Sequence, residues 1–168
     1  MATEPATYIR PERDSREEHP TEPVDYAALN AVYAAALAGV VYSTRRRART
    51  DPITPAEYGP IAAATFALAK VIAREKIGSW VREPFVEIEN GERRPSGTRL
   101  RRAVGELVTC TRCVGAWSAL AVVGLRAADA PTGKTVTNVL AASAANDWLQ
   151  AGFKWLTTET NLTQRGLD

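Results

Sequence analysis

Two thiols stand three positions apart in Cys110-Thr111-Arg112-Cys113. At that spacing a pair can close a disulfide, release it during exchange, or supply half of a metal site. Arg112 favours the thiolate, as would a helix beginning close to Cys110. On an uninterrupted helix, residues three and four apart share a face, so Glu106, Cys110, Cys113, Trp117 and Leu120 form one stripe. A structural zinc site wants four ligands, and the single histidine, His19, lies in a proline-rich N-terminal stretch. Zinc would therefore need Glu106, Asp147 or a second copy of the chain, and no other cofactor is implied. A thioredoxin-type site expects a strand before the motif, and none is read there. The plainer alternative is that Cys110 and Cys113 are small packing residues at a helix contact. Trp117 then serves as a core or interface anchor.

Other chemistry-bearing patterns carry less. Pro131-Thr132-Gly133-Lys134-Thr135 resembles the end of a phosphate-binding loop, but Ala128 holds the place of its first glycine and no strand precedes it, so nucleotide binding is not expected. One histidine makes a histidine-dependent hydrolase improbable. Asn161-Leu162-Thr163 has the form of a glycosylation acceptor and reads as part of a polar tail, residues 157–168. The chain carries 21 basic and 19 acidic side chains, a net charge of +2, which gives no ground for a nucleic-acid partner. Arg45, Arg46, Arg47 and Arg49 follow directly on an apolar stretch, where lipid phosphate is the simpler partner.

Four apolar segments must position these residues. The chain has 168 residues, enough for one ordinary domain. Residues 1–25 combine acids with Pro5, Pro11, Pro20 and Pro23, which predicts a disordered acidic tail and not the basic-then-apolar pattern of a cleaved signal. Residues 26–44, uncharged from Tyr26 to Tyr42 apart from the polar Asn30, are the best candidate for a membrane-spanning helix, although they are at the short end of what a bilayer requires. A second helix is predicted over Pro60 to Ala73 with Lys70 inside it.

The third segment, from about Thr98 to Leu125, reads as one helix with an amphipathic first half. There Leu100, Val104, Leu107 and Val108 recur at helical spacing. The fourth runs from about Val136 to Leu156, and its Asp147 should face a partner helix. Between the second and third, Pro84, Pro95 and Asn90-Gly91 signal turns. A structured loop is expected there in preference to a hairpin, because Glu92, Arg93 and Arg94 make a poor second arm. If the first segment spans, the acids before it and arginines after it place the N-terminus outside. The basic residues 93–102 conflict with that orientation unless the second segment only dips into the membrane.

Gly105-Glu106-Leu107-Val108-Thr109-Cys110-Thr111-Arg112-Cys113-Val114-Gly115-Ala116-Trp117 resembles the signature of the domain of unknown function 1360 family. A second likeness is upstream, in Phe66, Leu68, Glu75, Ile77 and Arg82-Glu83-Pro84-Phe85. The resemblance covers about residues 60 to 155 and implies a small bacterial membrane protein, with Glu106, Cys110, Cys113, Gly115, Trp117, Arg82 and Pro84 as its structural motif. It lends no activity. Ala67 and Lys70 depart from it, each standing where an arginine is usual.

The expectation is thus an all-α bundle of about four Ala-rich helices, embedded in or attached to a bacterial cell membrane, with residues 57–156 as the helical domain. Its role would be structural or protein-interacting, with the bilayer and either a second copy or another membrane protein as partners. The alternatives are a membrane thiol-disulfide oxidoreductase using Cys110 and Cys113, and a soluble helical component of a larger assembly.

Overall fold

A computed structural model describes residues 21–47, 51–89 and 91–165. Its helices are α1 (Pro23–Arg47), α2 (Pro55–Ala73), the single turn α3 (Ser79–Arg82), α4 (Arg99–Thr109), α5 (Thr111–Ala128) and α6 (Ala130–Arg165). Strands β1 (Val86–Glu89) and β2 (Glu92–Pro95) form one antiparallel hairpin. The fold is all-α apart from that hairpin, and α1, α2, α5 and α6 are its four long helices.

Cross-helix contacts fix the order. Arg126, in the last turn of α5, meets Glu57 in the first turn of α2, whereas Lys70 near the end of α2 meets Asp147 in mid-α6. Tyr33 of α1 stacks edge-on against Trp117 of α5, and a Cβ on Gly124 would come within 3.1 Å of Val40. Chain direction therefore alternates through α1, α2, α5 and α6. Asp147 faces a partner helix, as its charge requires.

The first turn of α1 is built by Asp25, whose Oδ2 accepts the Glu22 N–H at 2.9 Å. Helix α1 thus opens inside the stretch expected to be tail; residues 1–20 lie outside the described residues. Helix α2 starts at Pro55, five residues before the expected Pro60, because Thr54-Pro55 supplies an extended residue followed by a proline at the first helical position. Helix α6 continues through Thr157 to Arg165, so the expected polar tail is helical for most of its length.

The buried hydrophobic residues are small: Ala64, Ala67, Ala69 and Ala73 on α2, Ala103 and Val108 on α4, Val114, Val122 and Ala127 on α5, and Ala144 on α6. Among the described residues no large side chain is fully buried, while Phe66, Trp148, Leu149, Phe153 and Trp155 stay exposed. Alanine faces let helix backbones approach closely, which is how Ala-rich segments associate without large knobs.

The loop expected between the second and third segments is a hairpin instead. Its register pairs Glu87 with Arg94 and Ile88 with Arg93, and Arg94 reaches Glu89 at 3.0 Å. Gly91 supplies the positive φ, +81°, that the tight reversal needs. The charged second arm is tolerated because Arg94 stands opposite Glu87 and also pairs with Glu89. At its base the Ser96 N–H donates to the Phe85 carbonyl at 2.8 Å.

The hairpin and the start of α4 lie at the α1 N-terminal end of the bundle, since Arg99 pairs with Glu22 and Asp25. Residues 93–102 are therefore at the other end of α1 from Arg45. With basic residues at both ends, the charge bias no longer gives one orientation.

Candidate functional site

The third segment is two helices. Its apolar pattern runs on past Cys110, but α4 and α5 meet at 86° there. Local hydrogen bonding makes the break. The Thr109 hydroxyl donates to the Gly105 and Glu106 carbonyls at 2.8 and 3.2 Å, and the Cys110 N–H is shared between Glu106 and Leu107. Cys110 then turns to φ −91°, ψ 107°, outside the helical region, and becomes the N-cap of α5. Its Sγ accepts the Cys113 N–H at 3.4 Å, a role that serine or threonine oxygens more often fill.

Both cysteines are free thiols, and the Cys113 thiol donates to Cys110 Sγ at 2.8 Å. That hydrogen bond is the main cause lowering the Cys110 pKa below the ordinary thiol value, with the N–H of Cys113 and then Arg112 adding to it. Cys113 is pushed up by the same contact, with burial adding to it. The pair is thus polarised: the contact favours thiolate character at Cys110 and retention of the proton at Cys113. Cys110 is half-buried, whereas Cys113 is exposed.

Beside the thiols lies a half-open cavity of about 540 Å³. Helix α1 gives it Tyr26, Leu29, Asn30 and Tyr33. From α4 come Glu106 and Leu107, and Trp117 closes the side towards α5. The Tyr26 hydroxyl donates to Glu106, whose other oxygen is 3.6 Å from Arg102. Glu106, Cys110, Cys113 and Trp117 therefore share one wall although no continuous helix carries them. Tyr26, Asn30 and Tyr33 were not among the expected site residues. The available signal was Asn30, the polar interruption of an otherwise uncharged run.

The other motif residues lie outside the cavity. Arg82, with its side chain buried, caps the C-terminal end of α2: Nη1 donates to the Ile72 carbonyl and Nη2 to that of Glu75 at 2.7 Å. The Pro84 carbonyl accepts Arg101 Nε at 3.1 Å. Gly105 is pressed against this turn, where an added Cβ would lie 2.5 Å from the Phe85 carbonyl oxygen. Gly115 is not crowded; nothing lies within 4 Å of where its Cβ would be. The Arg-Glu-Pro-Phe turn and the glycine before Glu106 are hence one packing unit that seats α4.

At the opposite end of the bundle, the buried Arg126 binds Glu57 through a fork of 3.0 and 3.2 Å and Asp51 at 3.0 Å. Lys134 joins Asp51 at 3.3 Å, and Gly133 lies directly over the Arg126 backbone. The Gly133-Lys134 pair is occupied in helix packing and ion pairing. Among the described residues no group of three or more histidine, cysteine or acidic side chains could hold a metal. Asp147 is engaged by Lys70 and is not brought to the thiols.

One helical stretch, Pro23–Arg45, is long and apolar enough to cross a membrane, with a mean hydropathy of 1.5 and 6% of its most apolar window buried. A family profile described as a protein of unknown function, DUF1360, matches residues 61–153, more than half of the chain. No curated protein and no solved structure matches the chain.

Proposed function

Because the chain belongs to the DUF1360 family of proteins of unknown function, its role must be argued from its own residues, and we propose that it is a small membrane-attached thiol-disulfide exchange protein. The observation that carries this reading is the polarised pair at the elbow: a thiolate-favouring Cys110 capping α5, with the exposed Cys113 thiol 2.8 Å away. Packing alone would not require an exposed thiol. When the two sulfurs are joined, an incoming protein thiolate attacks the accessible Cys113 sulfur and Cys110 departs, because the thiol of lower pKa is the better leaving group. A second thiol of the partner then attacks its own sulfur in the mixed disulfide and releases Cys113. The partner gains a disulfide and the chain becomes a dithiol.

Membrane attachment is supported by α1. It carries no charged residue between Tyr26 and Thr44, most of its surface is not covered by other helices, and its outward residues include Val32, Leu37 and Val41. The reading places α1 in the bilayer of a bacterial cell membrane, with the cysteine elbow beside its N-terminal turns.

The purified full-length chain in detergent tests this directly. Equilibration in glutathione redox buffers followed by maleimide counting is expected to show a two-thiol to no-thiol transition, lost in Cys110→Ser and Cys113→Ser. Two thiols that stay unreactive across the whole range remove the exchange reading. Resistance of the membrane-bound chain to carbonate extraction checks the attachment.

A second reading, a structural or interaction role with another copy or another membrane protein, is favoured by the exposed Trp148, Leu149, Phe153 and Trp155 on α6. Cross-linking from Leu149 in membranes tests it, and recovery of monomer alone counts against it.

A further inference from the structure

We infer that the cavity beside the cysteine pair is the site of a membrane-soluble quinone that re-oxidises the dithiol. This rests on the exchange reading and adds the electron acceptor to it. A disulfide whose reduced form is stabilised as a thiolate is an oxidant. Each cycle leaves it reduced by two electrons, so turnover requires a two-electron acceptor that can reach the thiols, and both Cys110 and Cys113 line the cavity.

The cavity meets that requirement. At about 540 Å³ it is within the range of roughly 300 to 1,000 Å³ of small-molecule sites. Leu29, Leu107 and the Trp117 ring give it an apolar lining, and its polar groups are few. A flat apolar ring suits such walls, and stacking against Trp117 would hold it. A flavin or nicotinamide dinucleotide would bring phosphates, for which no cationic group lines this cavity. One wall is α1, the helix placed in the bilayer by the reading above, so a carrier dissolved there would reach the site without crossing water.

The chemistry balances. The Cys110 thiolate adds to a ring carbon of the quinone, forming a C–S bond while the electron pair moves to a carbonyl oxygen. The Cys113 thiol gives its proton to the reduced ring, and its sulfur attacks Cys110. The S–S bond forms as the C–S bond breaks, with the electron pair remaining on the ring. Two sulfurs are oxidised and the quinone becomes a quinol. One of its two protons comes from Cys113. The other comes from water by way of the Tyr26 hydroxyl, which lines the cavity and is held by Glu106.

The test uses the full-length chain, reduced and freed of reductant in detergent, mixed with decylubiquinone, whose fully substituted ring limits arylation. The expected result is one quinone reduced and two thiols lost per chain, with no quinone reduction by Cys110→Ser. Leu29→Trp, which fills the cavity, is expected to raise the quinone concentration for half-maximal rate at least tenfold. A wild-type chain that exchanges with glutathione disulfide and leaves the quinone oxidised overturns this inference while the exchange reading stands. A chain that does neither overturns both. Quinone reduction by Cys110→Ser at the wild-type rate also overturns the inference, because one thiol cannot close the disulfide.

Discussion

Truncating Arg82 separates a packing motif from a reactive one. Arg82→Ala deletes the two guanidinium bonds that close the end of α2, to the Ile72 and Glu75 carbonyls. A third approach, to the Val71 carbonyl, is 3.5 Å long and adds little. Bonds from a charged donor contribute about 1.5–3 kcal/mol each, so two amount to about 3–6 kcal/mol. Against this stands the burial of a guanidinium that is 3% exposed, whose rehydration on unfolding offsets part of the gain. A net loss of about 3 kcal/mol follows, which in a chain of this size lowers Tm by about 6–12 °C. Thermal unfolding in detergent, followed by circular dichroism at the helical band, measures it. Arg82→Lys keeps the charge but loses the planar fork, so it should fall between the two. Glu83→Gln, at an exposed neighbour, should melt with the wild type. An Arg82→Ala chain that melts within about 2 °C of wild type, well below the expected shift of about 6–12 °C, would refute the capping argument.

Other outcomes follow from the same geometry. Gly105→Ala should cost about 1–3 kcal/mol, because its Cβ meets a backbone carbonyl, whereas Gly115→Ala should be neutral or stabilising by up to about 1 kcal/mol; paired urea melts compare them. Alkylation of Cys110 by iodoacetamide should have its midpoint below the free-thiol value of about 8.5, since the thiolate persists at lower pH. In Cys113→Ala the principal hydrogen bond is gone and that midpoint should rise; an unchanged profile contradicts the assigned cause. Arg126→Met leaves Glu57 and Asp51 without their shared cation and should lose roughly 3 kcal/mol, the low end for a broken buried pair because Asp51 is partly exposed. Urea unfolding checks it, and an unchanged midpoint would show the network to be dispensable.

Much of the bundle was legible in the sequence because apolar runs and proline positions report on single helices. The family motif also pointed to Glu106, Cys110, Cys113 and Trp117, which share a cavity wall. What escaped were features set by competition between local and ladder hydrogen bonds. Apolar periodicity continues unbroken from Leu100 to Leu125, and nothing in it marks the elbow that Thr109 and the Cys110 thiol create. The hairpin was missed because a charged strand looks unfavourable until Arg94 is opposed to Glu87 and Glu89. Tyr26 meets Glu106 across 80 positions of sequence, a pairing that requires the helix order first. That order also brings residues 93–102 to the start of α1, through the pairing of Arg99 with Glu22 and Asp25.

The small-residue interior has an evolutionary corollary. In a water-soluble bundle the bulky aliphatic and aromatic side chains are the immovable ones, and alanines are interchangeable. Here the reverse should hold: Ala64, Ala67 and Ala144 have no room to grow, whereas Trp155, Leu149 and Phe153 can drift among apolar types without disturbing a neighbour. A deep mutational scan of this chain should therefore find the buried alanines intolerant of larger side chains and the exposed apolar positions of α6 tolerant of exchange among apolar types.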